Sequence, residues 1–234
     1  MKRIGVGMMA DIKILYEDNH LLIVEKPVNI PVQADSSGDK DFLTMLKEDI
    51  KMRYNKPGNV YLALVHRLDR PVGGVMLFAK TSKAASRISN EIRKQAMERK
   101  YLAVVEGTPK KKSGELNHFL YKDKEKNIVH AVGKNHPQAK RAILHYEVVA
   151  TSKGFSLLSV ELYTGRPHQI RVQLAENGTP LYGDQKYGSK NNRPGMQIAL
   201  WAHQLTVKHP TKDEQVHVVS EPPFVYPWKL LLEA

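Results

Sequence analysis

Apolar positions recur along this chain with two periods, and the changes between them mark its elements. Alternating, β-branched runs predict strands over Ile12 to Tyr16 and Leu21 to Lys26, joined by a turn at Asp18-Asn19-His20. Phe42, Leu43, Met45, Leu46 and Ile50 recur at helical spacing, which predicts a helix from Asp41 to Tyr54. Asn55-Lys56-Pro57-Gly58 ends it, because a proline ring breaks the helical ladder. Further strands are expected over Val60 to Val65, Val75 to Ala79 and Tyr101 to Val105. Between the last two, Thr81 or Ser82 can cap a helix whose Ala85, Ile88, Ile92 and Ala96 form one apolar stripe. From Glu115 onward strand patterns dominate: Ile128 to Val132, Ala142 to Ala150, Phe155 to Tyr163, Ile198 to Val207 and Gln215 to Val219. One helix with Pro167 in its first turn and a stop at Asn177-Gly178, and a short one over Trp228 to Leu232, interrupt them. Many strands with few helices predict an α/β (α+β) domain on a mixed, largely antiparallel sheet. No linker divides the chain, so a single domain is expected over 12–234, after a short leader over 1–11.

Composition narrows the class. The chain has 234 residues, 41% hydrophobic and 26% charged, which suits a folded core. No apolar run approaches the ~18 residues of a membrane span, so no membrane partner is expected. Cysteine is absent, which excludes disulfides, thiolate zinc sites and a cysteine nucleophile, and agrees with a cytoplasmic location. The net charge of +12 attracts polyanions. Much of it falls in Lys110-Lys111-Lys112, Lys122 to Lys126 and Lys134 to Arg141, which read either as solvated loops or as a groove for phosphates.

The motifs of metal and cofactor chemistry are missing. His-Glu-x-x-His, His-x-Glu with Cys-x-x-Cys, the phosphate-cradling glycine loop and Gly-x-Ser-x-Gly all fail to occur, so neither a metal nor a cofactor is expected. What remains is a carboxylate among cations. Asp69 follows a strand and precedes Pro71 and Gly73-Gly74, which places it on a tight loop at a strand end. Neighbouring arginines would keep it ionised, as a metal-free nucleophile or base requires. An aspartate bonding its own turn is the competing reading. His168 and Arg171, three apart, would share a helix face, either gripping an anion or simply facing solvent. Tyr101 sits mid-strand, where packing is the commoner role.

In order, His66-Arg67-Leu68-Asp69-Arg70, Arg99-Lys100-Tyr101-Leu102-Ala103-Val104-Val105-Glu106-Gly107 and Thr164-Gly165-Arg166-Pro167-His168-Gln169-Ile170-Arg171 resemble the RluA-type RNA pseudouridine synthases. Leu15 to Pro27 is similar to the start of that catalytic domain, and Gly178 to Asp184 with Tyr187-Gly188 continues the match. The resemblance implies a catalytic domain with a central cleft, acting without cofactor on uridines in ribosomal RNA or tRNA, ribosomal RNA favoured. It implies that Asp69 breaks the N1 glycosidic bond, so that uracil can turn and rejoin through C5. It further implies that Tyr101 packs on the base and handles the C5 proton, that Arg171 pairs with Asp69, and that Arg67 fills the space of the flipped uridine. His66, Arg70, Arg166 and His168 are expected to contact RNA. Two departures stand out. Val72-Gly73-Gly74 replaces the family's Thr-Ser-Gly, which would alter loop rigidity or target choice, and the leading residues are too few for an S4 RNA-binding domain.

Overall fold

The computed structural model describes residues 12–188 and 192–233, so the expected leader over 1–11 lies outside the described residues. The described strands form one 11-stranded sheet. In chain order its first members are β1 (Ile14–Glu17), β2 (Leu21–Lys26), β3 (Ala63–Leu64), β4 (Gly73–Ala79), β5 (Glu98–Glu106) and β6 (Ser113–Asp123). Then come β7 (Ile128–Val132), β8 (Lys140–Ser152), β9 (Phe155–Leu162), β10 (Leu200–Lys208) and β11 (Gln215–Val219). Their spatial order is β1-β2-β4-β10-β5-β9-β8-β6-β7, with β3 beside β4 and β11 beside β10. The helices are α1 (Phe42–Arg53), α2 (Ser82–Arg93), α3 (Gln169–Glu176) and α4 (Trp228–Leu232).

β4 is buried at every residue because both faces of the sheet are covered there. On one side Met76 and Phe78 pack with Phe42, Leu46 and Ile50 of α1; on the other, Val75 and Leu77 pack with Ile88 of α2 and with Leu205 and Val207. Burying such side chains contributes roughly 1.5–3 kcal/mol each, so the continuous apolar run of β4 anchors both layers. Asp41 caps α1, its carboxylate accepting from the Thr44 amide at 3.0 Å, and Thr81 caps α2, as the sequence predicts.

Some boundaries differ. The strand expected over Val60 to Val65 pairs only at Ala63–Leu64, because beyond it the His66 ring, not backbone, accepts from the Leu77 amide at 3.0 Å. The α2 stripe ends early: Gln95 takes a left-handed turn at φ 58°, leaving Ala96 exposed, and Met97 enters the core instead. Pro167 lies outside α3, whose N-cap is His168 at φ 51°. α3 buries six consecutive residues, Gln169 to Leu174, so it is an interior helix and not a surface one. The basic segments also part company. Lys110-Lys111-Lys112 precede one end of β6 and Lys122 to Lys126 close the other, roughly 30 Å away for a strand of 11 residues.

One junction joins the two halves of the sheet. β4 and β10 run parallel while every other described pairing is antiparallel. Trp201 stands opposite Gly73, and Ala202 opposite Gly74. A Cβ on Gly73 would lie 2.4 Å from the Trp201 ring, and one on Gly74 2.2 Å from the Ala202 carbonyl. Trp201 thus already fills the space that a side chain at Gly73 would need. Gly74, at φ 110°, is also strained for any L side chain. Gly74→Ala should cost about 3 kcal/mol, from overlap and backbone strain together. Urea unfolding checks this, and an unchanged midpoint would contradict it.

Candidate functional site

A cleft of about 1040 Å³ opens where the β3–β4 loop, β5 and the β9–α3 turn converge. It brings together Asp69, Tyr101 and Arg171, which are far apart in the chain. Asp69 begins a tight turn in which its carbonyl accepts from the Val72 amide at 2.9 Å. Its carboxylate is not spent on that turn. Instead Oδ2 accepts from Arg171 Nη1 at 3.0 Å.

Arg171 holds the arrangement. Its Nε and Nη2 donate to the two oxygens of Asp184 at 2.8 and 2.7 Å, while Nη1 reaches Asp69. Arginine suits this because its planar fork serves several oxygens in set directions. The Arg171 side chain is 6% exposed and that of Asp184 1%, whereas that of Asp69 is 26% exposed. The carboxylate facing the cleft is thus the one left accessible. Burial opposes the charge on Arg171, yet its bonds to Asp184 and then Asp69 outweigh that and raise its pKa. Burial likewise pushes Asp184 up, but Arg171 and the amides of Lys186 and Tyr187 more than reverse it. Asp184 is therefore locked as a carboxylate. As a buried, paired carboxylate it has no proton to give to a leaving group.

Lys26, fully buried, supports the Asp69 turn from below. Its ammonium donates to the carbonyls of Pro27, Arg70 and Val72 at 2.9, 3.0 and 2.9 Å. Burial draws its pKa down to about 7, against the pull of Asp69. Three carbonyls take three N–H donors, however, and only the charged form supplies three. Gln197 adds a bond to the Pro71 carbonyl at 2.6 Å. Asp69 thus sits on a turn gripped at Arg70, Pro71 and Val72.

Tyr101 lies on the cleft-facing side of β5, mostly buried; burial raises its phenol pKa, with Arg99 opposing and Asp69 adding. The phenol is neutral. Arg67, Arg99 and Arg166 line the cleft without a carboxylate at ion-pair distance among the described residues, and the buried Nε of Arg99 has no hydrogen-bond partner. Lys122, at the end of β6, lines it as well.

Three residues expected to touch RNA are otherwise engaged. Arg70 turns to the 29–39 loop, bonding the Asn29 carbonyl and Ser37 and pairing with Asp39, so it closes that loop over the Asp69 turn. His66 is neutral: burial first, then Arg99, lowers its pKa to about 3, and Nε2 is committed to the Leu77 amide. His168 is an N-cap and not a helical neighbour of Arg171; its Nδ1 lies 2.6 Å from the Tyr187 hydroxyl. In the sequence Lys26 and Tyr187 stand out only as parts of matching stretches. The one local signal for Lys26 is a lysine closing an otherwise buried strand.

The fold has counterparts among known proteins. Two solved human proteins, RNA Pseudouridylate Synthase Domain Containing 4 and 1, share the fold with a TM-score of 0.75 each, at 24% and 22% identity. The first alignment covers 90% of this chain and 88% of the other; the second covers 95% and 88%. The uncharacterised RNA pseudouridine synthase YhcT of Bacillus subtilis (strain 168) is 35% identical over 92% of this chain and 69% of its own. Residues 20–176 match the RNA pseudouridylate synthase family, and the chain belongs to that family of isomerases.

Proposed function

We propose that this chain converts uridine in ribosomal RNA to pseudouridine, with Asp69 as the catalytic carboxylate. The observation that carries the reading is the Arg171 fork, which leaves Asp69 as the exposed member of a locked carboxylate pair. The choice of RNA follows a relative, the ribosomal large subunit pseudouridine synthase C of Buchnera aphidicola subsp. Baizongia pistaciae, 32% identical over 94% of this chain and 69% of its own. With such a target, a cytoplasmic site of action is part of this proposal.

The chemistry needs no net oxidant or added group. The N1–C1′ bond breaks, uracil turns, C5 bonds to C1′, and the proton leaves C5 while N1 gains one. Ionised Asp69 acts at the sugar, either on C1′ or on the proton at C2′. Arg171 holds its orientation, and positioning of this kind is worth several kcal/mol of barrier. Tyr101, kept neutral by burial, stacks on the base and takes the C5 proton on its oxygen as its own hydroxyl proton passes to solvent, so no phenolate stands. Extruding the uridine costs a few kcal/mol of stacking. Arg67 offsets part of that by filling the gap, and Arg99, Arg166 and Lys122 hold flanking phosphates.

Asp69→Asn should abolish pseudouridine formation in a ribosomal RNA fragment while RNA affinity stays within a few-fold; full conversion by this variant would sink the assignment. Arg171→Lys keeps the charge but cannot serve both carboxylates in the same geometry, so the single-turnover rate should fall about a hundredfold, a typical loss for ~1 Å of misplacement. A rate close to that of the unaltered protein would remove Arg171 from this role. Affinity should also drop as salt rises, with a log–log slope of about −0.7 to −0.9 per phosphate held, and Arg99→Gln should make that slope shallower by roughly one contact. A flat salt response would show that the cleft arginines do not hold phosphates.

A further inference from the structure

Four consecutive residues, Asp184 to Tyr187, connect the carboxylate pair to the basic end of the β6–β7 hairpin. Asp184 takes two donors of Arg171. Lys186 Nζ donates to the Asn127 carbonyl, in the hairpin turn, at 2.8 Å. The Tyr187 hydroxyl accepts from the Val129 amide of β7 at 2.8 Å and lies 2.6 Å from His168 Nδ1. A neutral His168 ring that carries its proton on Nε2 takes the Tyr187 hydroxyl hydrogen on Nδ1, while the hydroxyl oxygen accepts from Val129. The surroundings favour that neutral ring: burial first, then Arg171, Lys186 and Lys122 lower its pKa, with only Asp69 opposing. The Tyr187 ring also lies 5.2 Å from the Arg171 guanidinium, and its amide donates to Asp184 at 3.2 Å.

Apolar packing against Val172 of α3 holds one face of the hairpin, through Leu120 and Val129. Among the described strands β7 ends the sheet and pairs only with β6, so its outward-facing amides meet no further described strand. The Tyr187 hydroxyl stands in for that strand at Val129. The same hairpin carries Lys122 at the cleft and Lys124 and Lys126 in its turn.

We propose that Tyr187 is a positioning residue, whose hydroxyl registers the β6–β7 hairpin against His168 and Arg171 so that RNA held by the hairpin lysines sets the aim of Asp69. This rests on the reading of Asp69 as the catalytic carboxylate. A ring that merely filled space would be replaced by phenylalanine without loss, whereas a hydroxyl that couples hairpin to site would not.

The test is a double-mutant cycle of Tyr187→Phe and Lys122→Gln, read as RNA affinity by filter binding and as single-turnover pseudouridine formation on a ribosomal RNA fragment. Tyr187→Phe should keep affinity within twofold and slow the rate about tenfold. Lys122→Gln should weaken affinity and slow the rate when Tyr187 is present, but only weaken affinity when Tyr187 is already Phe. An unimpaired Tyr187→Phe rate, or rate losses that multiply independently, would overturn the proposal. Should thermal melting show that Tyr187→Phe does not fold, Lys186→Met cuts the neighbouring tie and is expected to give the same pattern at smaller amplitude; independent losses there overturn it equally. If the unaltered protein forms no pseudouridine, the proposed function falls and this inference with it. An active protein with an indifferent Tyr187 removes the inference alone.

Discussion

Everything in this molecule hangs on how closely two backbones approach where β4 meets β10. That parallel contact spans only Gly73 and Gly74 against Trp201 and Ala202, yet it fuses the β1–β4 half of the sheet to the β5–β9 half. The Asp69 turn hangs from the first half, and Tyr101 and Arg171 belong to the second. A side chain at either glycine would push the halves apart by the width of an atom, and the bond from Arg171 to Asp69 spans the same seam. Sheet closure and carboxylate orientation are therefore one geometric condition.

Within that frame the carboxylates divide their labour by exposure. Asp184 is buried with its cation and two amides, and its task is to hold a guanidinium still. Asp69 keeps one bond to the same guanidinium and faces the cleft. An arginine gripping Asp69 alone would be free to follow it. Clamped from behind, it acts as a fixed reference, and Asp69 must come to it.

Most of this fold was legible in local pattern, since strand alternation and helix caps depend on near neighbours. β7, β11 and α4 fall where the sequence puts them, and both capped helices begin at their caps. What local pattern misjudged was contributed from a distance. β3 is short because a histidine ring replaces its ladder, and α3, whose polar residues suggest a surface helix, is covered by β6, β7 and β8. β6 is not marked out as a separate strand in the sequence, because its largely exposed and half-buried residues break up the apolar alternation. Asp69, Tyr101 and Arg171 were found only as an ordered set. Arg70 and His66 were assigned to RNA because a sequence displays charge and type but not prior commitments, and their partners lie up to 41 residues away. Lys26 escaped for the same reason, its farthest acceptor being 46 residues on.

That buried lysine has a consequence for the substrate. Asp69 and Asp184 bring two negative charges to the cleft floor, and Arg171 and Lys26 bring two positive ones, so the floor as a whole is neutral. Lys26 is out of reach of counterions, so salt screens its share of the balance far less than it screens a surface charge. A polyanion entering the cleft therefore feels the mouth, where Arg67, Arg99 and Arg166 stand, and meets little repulsion from the carboxylate it must approach.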